Sequence, residues 1–204
     1  MAHSMRKKEG ATVIELTVMI MVVAIIGLAM SSAIVFFSQL FVYTPRQLDA
    51  QKIAQDLMAA MTEGDQDVRG ARYARTVIDA SDTQFTYTYG YPTSSDQLSV
   101  RFRLQRDGQV YRVYRRTRPS GGGNWSRDTL VPYYVPPGVT IVGKNSPQVI
   151  FTYRQAGDAA WNGGATSTIR RVIIDIRVQT GSGSFSSWQG SFDLTSGVEI
   201  KGFG

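Results

Sequence analysis

Cysteine is absent from this 204-residue chain, which excludes disulfide stapling, thiol redox chemistry and any Cys-type metal site. Histidine is nearly absent, its single copy being His3 close to the amino terminus. The body of the protein therefore offers no imidazole to act as base, proton shuttle or metal ligand. Charge is missing from a run of 30 residues between Leu16 and Pro45. As a helix rising about 1.5 Å per residue, that run more than covers a hydrocarbon layer of about 30 Å. Carboxylates are scattered, and Asp65 with Asp67, or Asp79 with Asp82, read as solvated connections. The glycines at 121–123 lack the GK[ST] ending of a phosphate loop, and DAAWNGG at 158–164 carries too few oxygens for Ca²⁺. No catalytic residue, cofactor or metal is expected, and the chain does not read as an enzyme.

What is present begins with GATVIELTVMIMVVAIIGLAM at residues 10–30, in which Glu15 is the one acid. A carboxylate at the centre of a membrane helix costs on the order of 2.5 to 3.5 kcal/mol, and one near the end costs less but still calls for a partner. Arg6, Lys7 and Lys8 precede it and, by the positive-inside tendency, hold the amino end in the cytoplasm. The apolar run is too long for the core of an ordinary secretory signal, which leaves a plain signal anchor as the alternative within the membrane class.

KKEG followed by ATVIEL resembles the prepilin signal of type IV pilin-like proteins and type II secretion pseudopilins. The resemblance covers roughly residues 6 to 45. It implies a leader of residues 1–10 removed by a prepilin peptidase after Gly10, with Ala11 as the new, N-methylated terminus. The same enzyme acts as methyltransferase. Glu15 then stands at the fifth mature position, where it neutralises the terminal amine of a neighbouring subunit, since two charges in a dry core are tolerated only when paired. His3 falls inside the leader. Ala11 stands where Phe is common in the family, and Glu9 where Lys is common. The implied partners are the peptidase, other pilins or pseudopilins, the inner-membrane assembly platform and, before assembly, membrane lipid. The implied location is a single pass through the inner membrane with a cytoplasmic amino terminus, followed by a periplasmic or extracellular filament.

The remaining composition, 43% hydrophobic overall, leaves about 140 to 160 residues for one exported domain. Residues 11–45 form the polymerising half of a long helix and residues 46–204 a β-rich head that includes the helix's amphipathic half. Pro45 is expected to kink the helix rather than stop it. Beyond it Ile53, Leu57 and either Ala60 or Met61 make an apolar stripe, Asp49, Lys52, Asp56 and Glu63 take polar positions, and Gly64 is the expected end. A separate surface helix is the alternative. Residues 65–82 remain open between a short helical turn and an irregular connection. Period-two alternation then marks strands at Phe85–Tyr89, Val100–Gln105 and Val110–Thr117, with residues 106–109 as a hairpin connection containing Asp-Gly. Prolines 132, 136 and 137 break the next stretch. Strands resume at Val149–Arg154 and Val172–Gln179, turn at residues 181–184 and return through Ser187–Leu194 to Val198 and Ile200. The class is α+β, a long helix covering one face of an antiparallel sheet. QVYRVYRR, and PQVIFTYRQAG followed by TIRRVIIDIRV, are similar to J-type minor pseudopilins and W-type minor pilins, whose heads sit at or near a filament tip.

Seven arginines between 101 and 118 face one acid, Asp107. Arg101, Arg103, Arg112, Arg115, Arg116 and Arg118, interleaved with Tyr111 and Tyr114, are candidate contacts to a DNA backbone in an uptake pilus. The alternative is a solvated strand face and an aggregation-resistant edge. Trp125, Tyr133, Tyr134, Trp161 and Trp188 fall in or beside loops, where amphipathic rings suit contacts with other subunits.

Overall fold

The computed structural model describes residues 12–90, 97–181 and 190–201. Gly10 and Ala11, Trp188, and most of the 181–184 turn lie outside the described residues. Two compact units emerge, residues 1–42 and residues 43–204, and one helix, α1 (Val13–Thr62), contributes to both. In the first unit every large apolar side chain from Val13 to Phe41 is at least 42% exposed. Its hydroxyls turn back on the helix, Thr17 donating to the Val13 carbonyl and Ser31, Ser32 and Ser38 to those of Gly27, Ala29 and Val35. That surface is thus apolar without stranding these polar groups, the condition a lipid or packed-helix environment imposes.

The helix continues through Pro45, as expected from its position. In the second unit the later turns bury Ala50, Ile53, Ala54, Leu57, Met58 and Met61, while Asp49, Lys52, Asp56 and Glu63 stay exposed. Met61 rather than Ala60 completes the stripe. The helix ends at Thr62, and the N–H groups of Glu63 and Gly64 both donate to the Ala59 carbonyl.

A loop and a 3₁₀ turn at Ala71–Tyr73 lead into β1 (Thr76–Ser81), a strand that neither alternative expected for residues 65–82 included. There follow β2 (Gln84–Tyr89), β3 (Leu98–Asp107), β4 (Val110–Pro119) and β5 (Thr129–Val131), joined in that order as an antiparallel meander. A second sheet contains β6 (Thr140–Val142), β7 (Phe151–Gln155), β8 (Ile169–Thr180) and β9 (Gly190–Glu199). In it β9 runs along β8 from Arg171 to Thr180, so β7 and β6 share the opposite edge of β8 in succession. The α+β arrangement holds, with two antiparallel sheets where one was expected.

The β3–β4 hairpin is tighter than its sequence suggests. Asp107 is the last strand residue and pairs with Val110, leaving Gly108 and Gln109 as a two-residue loop. Gly108 has φ +62, and positive φ at the first loop position is where a type II′ turn needs glycine.

The two sheets and the helix share one core. Val172, Ile174, Ile176 and Val178 on β8 are fully buried, as are Phe85 and Tyr87 on β2. Phe85 stacks on Tyr87 at 5.0 Å and meets Phe151 of β7 at 5.8 Å. Tyr153 donates to the carbonyls of Ser81 and Gln84, and Tyr111 N–H donates to Thr140 Oγ1, so hydrogen bonds join the sheets at two places. The alternation expected for β2 fails on one side, because Thr86 and Thr88 are buried along with the aromatics.

The helix meets the second sheet at Arg46 and Gln47. The Gln47 side-chain amide donates to the Ser191 carbonyl and accepts from Ser191 N–H, and Thr180 Oγ1 donates to the Arg46 carbonyl. Gly190 is there because backbone meets backbone: a Cβ at that position would lie 2.7 Å from the Arg46 carbonyl group.

Candidate functional site

Glu15 sits in the first turn of α1 and is engaged locally. Thr12 N–H donates to Glu15 Oε2 at 2.8 Å, and Glu15 N–H donates to Thr12 Oγ1 at 3.3 Å. This reciprocal pair is a capping box, which satisfies two helix-start donors and places negative charge at the positive end of the helix dipole. The Thr-x-x-Glu spacing at 12–15 carries that signal in the sequence, where the lone acid drew attention instead. The proposed cleavage and methylation positions, Gly10 and Ala11, lie outside the described residues.

The candidate arginines divide between two faces of the meander. In the β3–β4 register Ser99 opposes Arg118, Arg101 opposes Arg116, Arg103 opposes Tyr114 and Gln105 opposes Arg112. Directly opposed residues share a face, so Arg101, Arg103, Arg112, Arg116 and Arg118 stand together. Arg115 does not belong with them. It opposes Phe102 on the core side, is 8% exposed, and pairs with Asp65 at 2.5 Å. Asp65 is accordingly more than a solvated acid, since Oδ1 also accepts from the N–H groups of Asp67 and Val68. Burial works to raise its carboxyl pKa, but the hydrogen bond and charge of Arg115 and those two N–H groups bring it below the ordinary value.

Part of the outer face is neutralised internally. Arg116 forks onto Asp128 with both contacts at 2.6 Å, and Arg112 approaches Asp107 at 3.7 Å. The fork and its charge hold the Asp128 carboxyl low against a smaller opposing effect of burial. Arg101 and Arg118 lie over the Trp125 ring, 4.2 and 4.5 Å from its centroid, in cation–π contact. Partial desolvation lowers the Arg101 pKa; nearby Asp79 opposes this, while Arg118, Arg103 and Arg116 add to it. Trp125 thus serves as a platform for guanidinium groups, and its contact with them competes with stacking on a base.

No protein-family model, curated protein or solved structure matches this chain.

Among the loop aromatics, Tyr133 and Tyr134 are 90% and 71% exposed. Trp161 instead packs edge-on against Tyr153 at 5.6 Å, next to the core. Among the described residues no three His, Cys, Asp or Glu side chains gather as a metal site. A cationic group outside the arginines selected from sequence comes from Arg69, Arg72 and Arg75 with Lys201, around one cavity. Its signal, an arginine at every third position, is legible at residues 69–75 but means little until the path of the chain there, a bridge at Arg69, a 3₁₀ turn at Ala71–Tyr73 and the approach to β1, is known.

Proposed function

We propose that the chain is a structural, non-enzymatic subunit of a type IV pilus or type II secretion pseudopilus, of the minor kind that sits at or near a tip. A prepilin peptidase/methyltransferase cleaves after Gly10 and methylates Ala11. The precursor waits in the inner membrane with its amino end inside. The assembly platform then extracts it to pack against the helices of other pilins or pseudopilins. The supporting observation is the first half of α1, exposed from Val13 to Phe41 with Glu15 as its only charge, in a chain whose remaining residues fold around the second half of the same helix. A surface of that kind is stable in lipid and against like helices, and costly in water. The β-rich head and the exposed Tyr133 and Tyr134 suit contacts with partner subunits.

DNA uptake has less support as a function, because Arg115 faces the core and Arg116 is forked onto Asp128. A signal-anchored protein that does not polymerise shares the helix and would use the acid only as the cap of its first turn. Mass spectrometry of the membrane-extracted protein separates these: a methylated Ala11 terminus is expected, and an intact Met1 terminus would refute processing. Glu15→Val is expected to leave cleavage intact and to block incorporation into filaments.

A further inference from the structure

The loop after α1 is held from several sides by its own backbone. Gly64 pairs with Arg69 in an antiparallel bridge, Gly70 N–H donates to the Glu63 carbonyl, and Tyr87 Oη–H donates to the Arg69 carbonyl at 2.7 Å. Tyr73 and Ala74 close the 3₁₀ turn onto Gly70 and Ala71, and Arg75 N–H donates to the Thr88 carbonyl as β1 begins. The 3₁₀ turn itself spans only Ala71–Tyr73, with Gly70 and Ala74 extended on either side, and along the stretch Val68, Ala71, Ala74 and Val77 are all in the core. Arg69, Arg72 and Arg75 come one residue later each time and border one cavity.

These three arginines, Tyr73, Gly90 and Lys201, two residues beyond β9, line a cavity of about 290 Å³. Four cationic residues line it, and among the described residues no carboxylate does. Arg69 is positioned over the Tyr73 ring at 5.4 Å, and Arg72 reaches outward to Glu63 at 2.8 Å. Like charges gathered on a braced backbone repel one another, and an anion that bridges them relieves the repulsion. Guanidinium groups match phosphate oxygens in geometry as well as charge. From this geometry we propose that the Arg69–Arg72–Arg75–Lys201 cavity binds a phosphate-bearing anion small enough to enter it, either a free polyphosphate or the headgroup phosphate of a lipid. The proposal stands apart from assembly of the apolar helix and uses none of its residues.

Glu63 is the internal competitor, because its carboxylate holds Arg72. Calorimetric titration of the full chain in non-ionic detergent at low salt, with inorganic pyrophosphate and with soluble short-chain phosphatidic acid, tests the site. Saturable binding of at least one is expected. It should weaken about ten-fold in Arg69→Gln/Arg72→Gln and tighten by about three-fold in Glu63→Gln, as charge-assisted contacts to phosphate are lost or released. Tighter binding of the phosphatidic acid assigns the site to a lipid headgroup, and tighter binding of pyrophosphate assigns it to a free polyphosphate. Absence of saturable binding for both, or equal affinity of wild type and both variants, would overturn the proposal.

Discussion

The two halves of α1 have similar chemistry in their apolar residues and opposite surroundings. From Val13 to Phe41 apolar side chains point in all directions and none of the large ones is buried, whereas from Ala50 to Met61 they keep to one stripe that is buried against strands. The difference lies in the residues between. Asp49, Lys52, Gln55 and Asp56 give the second half a wet side, while Leu16 to Pro45 carries no charge. A helix apolar all round calls for lipid or other helices, and one apolar on a single side calls for a sheet. One continuous helix thus answers to two solvents.

Truncation at matched sites sharpens that contrast most. Leu57→Ala, at a fully buried position, is expected to cost the head about 2 to 5 kcal/mol, read from its thermal or denaturant unfolding. Val23→Ala, 68% exposed in the first half, should leave the unfolding of the head unchanged and act only on insertion or assembly. An equal loss from both would break the comparison. Next in size is Gly190→Ala, which pushes a methyl group against the helix backbone at Arg46 and should cost about 1 to 3 kcal/mol in the same assay.

At the start of the first half, Thr12→Ala removes the acceptor of the capping box and should fray the first turn at a cost of about 0.5 to 2 kcal/mol, seen as faster amide exchange at residues 13–16. Glu15→Gln keeps a side-chain acceptor for the cap but loses the charge. If the carboxylate pairs with an amine in the filament, Glu15→Gln should impair incorporation more than Thr12→Ala does; the reverse order would reduce Glu15 to a helix cap.

Acid provides the mildest test. Asp65, Asp128 and Asp193 have folded-state pKa values below the ordinary 3.8, with arginines 115, 116 and 177 as their charged partners. The unfolded chain therefore takes up protons first as pH falls. The stability these pairs contribute is present above about pH 4 and is lost as pH falls from there through the lower folded values. Asp193→Asn should flatten that decline in the head. The stretch from Leu16 to Pro45 has no Asp, Glu or His to take up a proton in this range, and its helicity should not respond.

Much of this division was legible before any coordinates. The 3.6-residue stripe placed Ile53, Leu57 and the exposed acids correctly, and the alternation at Val172–Gln179 identified the buried strand face, because both depend on local period alone. Partnering was hidden. Arg115 and Arg116 are neighbours in a charged run, yet one faces Phe102's side of the sheet and pairs with Asp65, 50 residues away in sequence, while the other reaches Asp128 across a loop. Thr86 and Thr88 read as a wet face, and their burial follows from what covers the sheet. The division into two sheets depends on β8 taking two partners along one edge, which no periodicity encodes. For the site, the acid at position 15 stood out by its rarity and its local hydrogen bond did not, although Thr12 has the capping spacing. The gathering of Arg69, Arg72 and Arg75 with Lys201 needed the path of the loop after α1 to become visible.

The grip of Gln47 and Arg46 on Ser191, Gly190 and Thr180 has a mechanical consequence. Tension applied along α1 from its amino-terminal side reaches the β8–β9 pair only a few residues beyond Pro45, before it arrives at the buried stripe from Ala50 to Met61. The long β8–β9 ladder, in register from Arg171 to Thr180, is thereby placed to share the load as one member. Under such a pull, its carboxy-terminal strands serve as the anchor plate.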